Sequence, residues 1–253
     1  MVAGGCIETR KIVKITALET IRNAEFPNLL WLHIHTDEGL SGLGETFFGA
    51  QAVEAYLHES VAPQLLGQDP SRIDYIARKL YGYLGFRGSG VETRGNSAID
   101  IALWDLWGKR TGQPVYQLLG GLTREQVRVY NTCAGYRYVR QRPVQTTDNW
   151  GLDGEEGPYE DLDAFLNRAD ELALSLLQQG IQAMKIWPFD HAAENNGGLH
   201  ISSAELRRAL EPFEKIRKAV GDKIDIMVEF HSLWNLPTAC RIAEAVKPFQ
   251  PYW

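Results

Sequence analysis

The stretch IDIMVEFHSLW, residues 224–234, decides how the second half of the chain is read. In a β-strand, residues two apart share a face. Met227, Glu229 and His231 then point one way, and Ile226, Val228 and Phe230 the other. The upstream stretch QAMKIW, residues 182–187, reads alike: Met184 and Ile186 take one face, and Ala183, Lys185 and Trp187 take the opposite one. Each strand has an apolar face suited to packing under helices and a second face that ends in ionisable groups. An earlier segment, Gln126–Cys133 (QVRVYNTC), is a further predicted strand. The amphipathic segments Asp161–Gln179, Ser202–Val220 and Thr238–Val246 are predicted helices. Strands alternating with helices imply a parallel sheet with right-handed crossovers. In a (β/α)8 barrel the active site is built at the C-terminal strand ends, so Lys185, Glu229 and His231 are expected to converge on one mouth. A surface sheet whose Lys and Glu merely meet water is the competing reading; parallel strands are usually covered on both faces.

Upstream of the Leu118–Gly121 turn the rhythm differs. From Lys11 to about Glu45 the pattern is that of antiparallel strands, with Leu30, Leu32 and Ile34 alternating against Trp31, His33 and His35. Asp37–Gly39 predicts a hairpin turn. Gly39, Gly42 and Gly44 do not form a dinucleotide fingerprint, because no helix begins at the required offset. The periodicity turns helical from Ala50, and Ser97–Arg110 reads as a helix stopped by Gly112 and Pro114.

The bulk properties narrow the function classes. The chain has 253 residues, 44% hydrophobic and 23% charged, with a formal net charge of -6 and no concentrated basic stripe. Nucleic acid is a poor partner for such a surface. Three scattered cysteines, Cys6, Cys133 and Cys240, fit neither a disulfide framework nor a CxxC metal site, which points to a reducing cytoplasm. The charged N-terminus is unlike a signal peptide, and no apolar run approaches the roughly 20 residues of a membrane span.

Three segments carry a resemblance. NSAIDIALWDLWGKRTGQPVYQLLGG (Asn96–Gly121), TDEGLSGLGE (Thr36–Glu45) and MVEFHSLWNLPTA (from Met227) together resemble the mandelate racemase and muconate-lactonising branch of the enolase superfamily. The resemblance implies an α/β enzyme with an α+β capping domain, residues 1–121, followed by a (β/α)7β TIM-like barrel from residue 122. This chain would hold about the first three to four strands of that barrel within 122–253. Such a barrel typically needs about 250 residues, so the chain is expected to be a fragment, with the general base and the remaining metal carboxylates beyond Trp253. The resemblance further implies Mg²⁺, for which Glu229 would be the first carboxylate ligand. Lys185 would hold the substrate carboxylate. Many relatives carry Lys-x-Lys at the end of the second strand, whereas here Trp187 replaces the second lysine and would form a wall of the substrate site. His231 resembles the residue that protonates a leaving hydroxyl in acid-sugar dehydratases. Cap loops near Arg22–Asn28 and Phe47–Ala50 would cover the substrate, with Phe47 among the contacts. The implied reaction is dehydration of an aldonic or aldaric acid to a 2-keto-3-deoxy acid. A racemase, epimerase or cycloisomerase, or a non-catalytic homologue, is the alternative. The implied state is a cytoplasmic homo-oligomer acting on a small carboxylate, without nucleic acid or membrane partners.

Other candidates are read as structural. His33 and His35 share a strand face in the cap, His191 and His200 flank a Gly-Asn-rich loop at Glu194–Gly198, and Asp100 and Asp105 support the domain join. The polar segment Tyr136–Asp163, basic at Arg137, Arg140 and Arg142 and then acidic, is expected to be a lid or an oligomer contact, since long structureless loops are uncommon unless functional.

Overall fold

Alternation at Leu30, Leu32 and Ile34 builds the first sheet. In the computed structural model, which describes residues 12–82, 90–138, 142, 146–152 and 160–253, three antiparallel strands pair in the order β1 (Ile15–Asn23), β2 (Phe26–Thr36), β3 (Ser41–Phe47). Leu30, Leu32 and Ile34 are fully buried, while Trp31, His33 and His35 are half-exposed on the other face. The turn after Thr36 uses Gly39 at φ 79°. The segment Arg22–Asn28, expected as a covering loop, is instead the β1–β2 hairpin. Arg22 lies in β1 with its Nε 2.8 Å from Glu54, and Asn28 is buried in β2.

One face of this sheet is covered by α1 (Ala50–Tyr56), a π-helical turn Leu57–Val61, α2 (Ala62–Leu65), α3 (Ile73–Tyr81) and α4 (Val91–Thr111); α5 (Val115–Leu118) follows. The close approach of α4 to β3 explains two glycines. A Cβ at Gly42 or Gly44 would sit 2.0 Å from the carbonyl oxygen of Ala102 or Ala98. α4 starts at Val91, earlier than the expected Ser97, and Arg94 in its first turns donates to the Phe47 carbonyl. Asp105 accepts from Leu43 N at 2.7 Å and from Lys109 at 2.7 Å, so it ties α4 to β3 within the first unit.

The chain divides into two compact units between Glu125 and Gln126. The second unit comprises α6 (Asp161–Asn167), α7 (Ala169–Gln178), β4 (Ala183–Ile186), α8 (Asp190–Asn196), α9 (Ser203–Val220), β5 (Asp225–Val228) and α10 (Leu236–Val246). β4 and β5 pair in parallel, from Ala183 opposite Asp225 to Ile186 opposite Val228. Phe165, Phe189, Phe213, Met184, Ile186 and Ile226 form its core.

Four expectations need correction. QVRVYNTC is not a full strand: it pairs with β4 at Asn131, whose N donates to Ala183 O and whose O accepts from Lys185 N. Val127 and Val129 are 69% and 63% exposed, and β-propensity without burial does not sustain a ladder. The single predicted helix Asp161–Gln179 is broken at Arg168, which leaves the helical region at φ -135°, ψ 47°. At that break the Asn167 carbonyl accepts from Lys215 of α9. Most of the expected loop Glu194–Gly198 is helical, because α8 runs to Asn196 and stops at Gly197 in the left-handed region. The strand read in IDIMVEFHSLW ends at Val228. On the outer edge of β5, Tyr252 N donates to Ile226 O and Val228 N donates to Trp253 O.

Candidate active site

The register of the parallel pair places Lys185 opposite Met227, and alternation puts Glu229 on the same side as Met227. Lys185 Nζ consequently lies 3.4 Å from Glu229 Oε2. The pair is partly buried, and Tyr130 and Trp187 lie near the ammonium, with ring centroids 5.9 and 6.0 Å away. Glu229 Oε1 accepts from the backbone N–H groups of Phe230 and His231 at 3.1 and 3.0 Å. Burial alone would raise its carboxyl. The His231 backbone N–H, the His231 ring and Lys185 outweigh it, and the group is held below the ordinary glutamate range.

His231 comes to this place by a different route from the one strand alternation suggests. His231 and Ser232 both have positive φ, 47° and 56°, so the chain turns sharply after Phe230. Such a pair of left-handed non-glycine residues is uncommon and requires local compensation. The turn directs the imidazole to Asp190, with Nδ1 2.6 Å from Oδ2, and against Trp187, with ring centroids 5.7 Å apart, edge to face. The hydrogen bond to Asp190 raises the His231 pKa, although burial opposes it. Asp190 is itself raised, because burial outweighs the pull of His231. Both shifts mean that the pair retains its proton more firmly than free side chains would.

Lys185, Trp187, Glu229 and His231 thus come together at the C-terminal ends of β4 and β5. Phe47 belongs to the first unit, at the end of β3, where its ring packs on Phe48. Asp190 was not among the residues singled out from sequence. It stands 41 positions from its partner, and an acid in the first turn of a short helix ordinarily reads as exposed dipole complementation. Trp187 Nε1 and Asp190 Oδ1 are buried without a hydrogen-bond partner among the described residues. Such atoms are few in native interiors and call for a reason.

The remaining histidine candidates have local partners. His35 bonds Glu19 at 2.8 Å and stacks on His33. His191 packs on Trp150, ring centroids 4.6 Å apart, and the backbone of His200 is bracketed by the Asn196 side chain. Asp100 lines a cavity of about 220 Å³ with Ile76, Leu80 and Leu103, where burial raises its carboxyl. Of the segment 136–163, Arg140, Asp153, Glu155 and Glu156 lie outside the described residues. Tyr138 is described and reaches the site, its ring 6.1 Å from that of Trp187.

A hard divalent cation is a reasonable guest for the Glu229 end of the cluster, since an ionised carboxylate is the donor such ions prefer. Among the described residues, no three His, Cys, Asp or Glu side chains are grouped to hold a metal. Glu229 by itself offers one such carboxylate donor, already accepting two backbone N–H bonds.

Known proteins resemble the chain along most of its length. Residues 8–120 match the mandelate racemase / muconate lactonizing enzyme N-terminal domain, and residues 168–253 match the enolase C-terminal domain-like family. A D-galactonate dehydratase from Ralstonia nicotianae is 33% identical over 244 residues, covering 94% of this chain and 54% of that protein. A solved enolase of the mandelate racemase subgroup from Agrobacterium tumefaciens is 56% identical with a TM-score of 0.79, covering 95% of this chain and 56% of the other. An enolase protein from Sargasso Sea environmental sequencing is 45% identical with a TM-score of 0.80, over 95% and 57% of the two chains. The chain spans about half the length of the curated relatives it matches. The chain carries the family's N-terminal cap and part of its barrel. The chain belongs to the mandelate racemase / muconate lactonizing enzyme branch of the enolase superfamily.

Proposed function

We propose that the whole protein dehydrates a sugar acid, an aldonic or aldaric acid, to its 2-keto-3-deoxy product. The observation that carries the reading is the convergence of the Lys185–Glu229 pair, at 3.4 Å, with the His231 imidazole at one strand-end mouth. The D-galactonate dehydratases among the relatives support the same reaction class. Lys185 supplies positive charge to the substrate carboxylate, and Glu229 is the residue of this chain that would hold Mg²⁺. When bound, the ion adds further positive charge beside that carboxylate. His231 delivers a proton to the β-hydroxyl as its C–O bond breaks, so that hydroxide leaves as water. Trp187 closes one wall of the site against solvent. The α-proton is taken by a residue other than these, and the resulting enol collapses to the ketone.

The test is a panel of aldonic and aldaric acids, D-galactonate included, incubated with the protein and Mg²⁺ and developed with an α-keto acid reagent. The expected result is keto-acid formation that is lost on chelation and restored by Mg²⁺. Lys185→Met and His231→Asn are each expected to lower kcat/KM by at least about 100-fold, the scale of lost acid–base or electrostatic assistance. Deuterium exchange and isomerisation without keto acid would instead assign a racemase or epimerase on the same scaffold.

A further inference from the structure

We infer that Asp190 is the positioning residue for His231, and that α8 with the turn after it is a clamp holding the His231 loop in its working conformation. The inference deepens the dehydratase reading, resting on His231 as the residue that meets the substrate.

The geometry is specific. Asp190 is 6% exposed, and its Oδ2 lies 2.6 Å from His231 Nδ1. Burying a carboxylate is costly unless it is paired, and Asp190 has no capping role on its own helix, whose N-cap is Phe189 without a side-chain bond. Its partner is the imidazole. A carboxylate acceptor at Nδ1 fixes the proton on that nitrogen and leaves Nε2 as the ring position available to substrate. Trp187, edge-on at 5.7 Å, limits rotation of the ring.

The other end of α8 holds the same loop. Gly198, at φ 74°, lies so close to it that a Cβ there would be 1.8 Å from Leu233 O. Asn235 N donates to Gly198 O at 3.1 Å. The Asn235 amide and the Thr238 hydroxyl both donate to Leu199 O at 2.9 Å. The loop from His231 to Asn235 is thus gripped by Asp190 at the start of α8 and by Gly198–Leu199 after it. This accounts for the persistence of positive φ at both His231 and Ser232.

The test is ¹⁵N NMR of the imidazole nitrogens, assigned with His231→Asn and recorded without substrate or metal. In the wild-type protein the neutral His231 ring is expected in the Nδ1–H form; free histidine prefers the Nε2–H form. Asp190→Asn and Asp190→Ala are expected to abolish that preference, and Asp190→Glu to restore part of it. A wild-type ring protonated at Nε2 with bare Nδ1, or ring shifts unchanged in both variants, overturns the inference, and the wild-type spectrum decides even if a variant fails to fold. In turnover of the sugar-acid panel, Asp190→Asn is expected to lower kcat by at least about 100-fold with KM changed less than about threefold. A loss confined to KM would also overturn it. Full keto-acid formation by His231→Asn would defeat the dehydratase assignment of His231 while leaving the NMR outcome for Asp190 intact.

Discussion

At the scale of single residues, the backbone conformations around the site are the most sensitive points. Gly198 combines a positive φ with the absence of space for a Cβ. Gly198→Ala is expected to lose more than about 1 kcal/mol of stability, the scale for a side chain forced into an incompatible conformation. The loss is measured by urea unfolding, and the amides of residues 231–235 should shift in the variant. An unchanged midpoint would mean that the loop and α8 yield freely. The cysteines give a second check. Cys133 is fully buried and burial raises its thiol strongly, whereas Cys240 is exposed. The thiolate is the reactive form, so a thiol reagent applied to the folded protein should label Cys240 and spare Cys133 until denaturant is added. Peptide mapping that finds Cys133 labelled as fast as Cys240 contradicts this burial.

At the scale of elements, α9 shows how local sequence fixes a boundary. Ser202 accepts from Glu205 N at 3.2 Å while Glu205 accepts from Ser202 N at 2.8 Å, a reciprocal capping box. Ser202→Ala is expected to cost about 1 kcal/mol of stability. The hydrogen bonds from Ser202 lower the Glu205 pKa below its ordinary 4.5. A depressed folded value contributes stability that is present above the ordinary value and is lost as pH falls through the folded one. The stability difference between wild type and Glu205→Gln should therefore shrink as pH is lowered from about 6 to about 3. A difference that stays constant would separate the cap from the ionisation. The α6–α7 break shows the opposite case: a continuous amphipathic pattern is interrupted at Arg168, where the Asn167 carbonyl accepts from Lys215 of α9.

At the scale of the whole molecule, each unit has its own core. One gathers Leu30, Leu32, Ile34, Val53 and Leu103; the other gathers Phe165, Phe189, Phe213, Met184 and Ile226. Phe213 is fully buried against the Phe189 and Phe249 rings. Phe213→Ala is expected to cost about 3–5 kcal/mol, with the loss of amide protection from hydrogen exchange concentrated in β4 and β5. Protection lost first in β1–β3 would show that the two cores are not separately responsible for their sheets. No helix among the described residues is long and apolar enough to cross a membrane.

The sequence by itself determined the alternating strands, the hairpin turn at Asp37–Gly39 and the helix α9. These follow from periodicity and local hydrogen bonding, which neighbouring residues settle among themselves. The partnership of His231 with Asp190, the early stop of β5 and the break at Arg168 were decided only by tertiary structure. Each depends on groups far apart in the chain meeting in space, where burial and a partner's charge, rather than local propensity, set the lowest free energy.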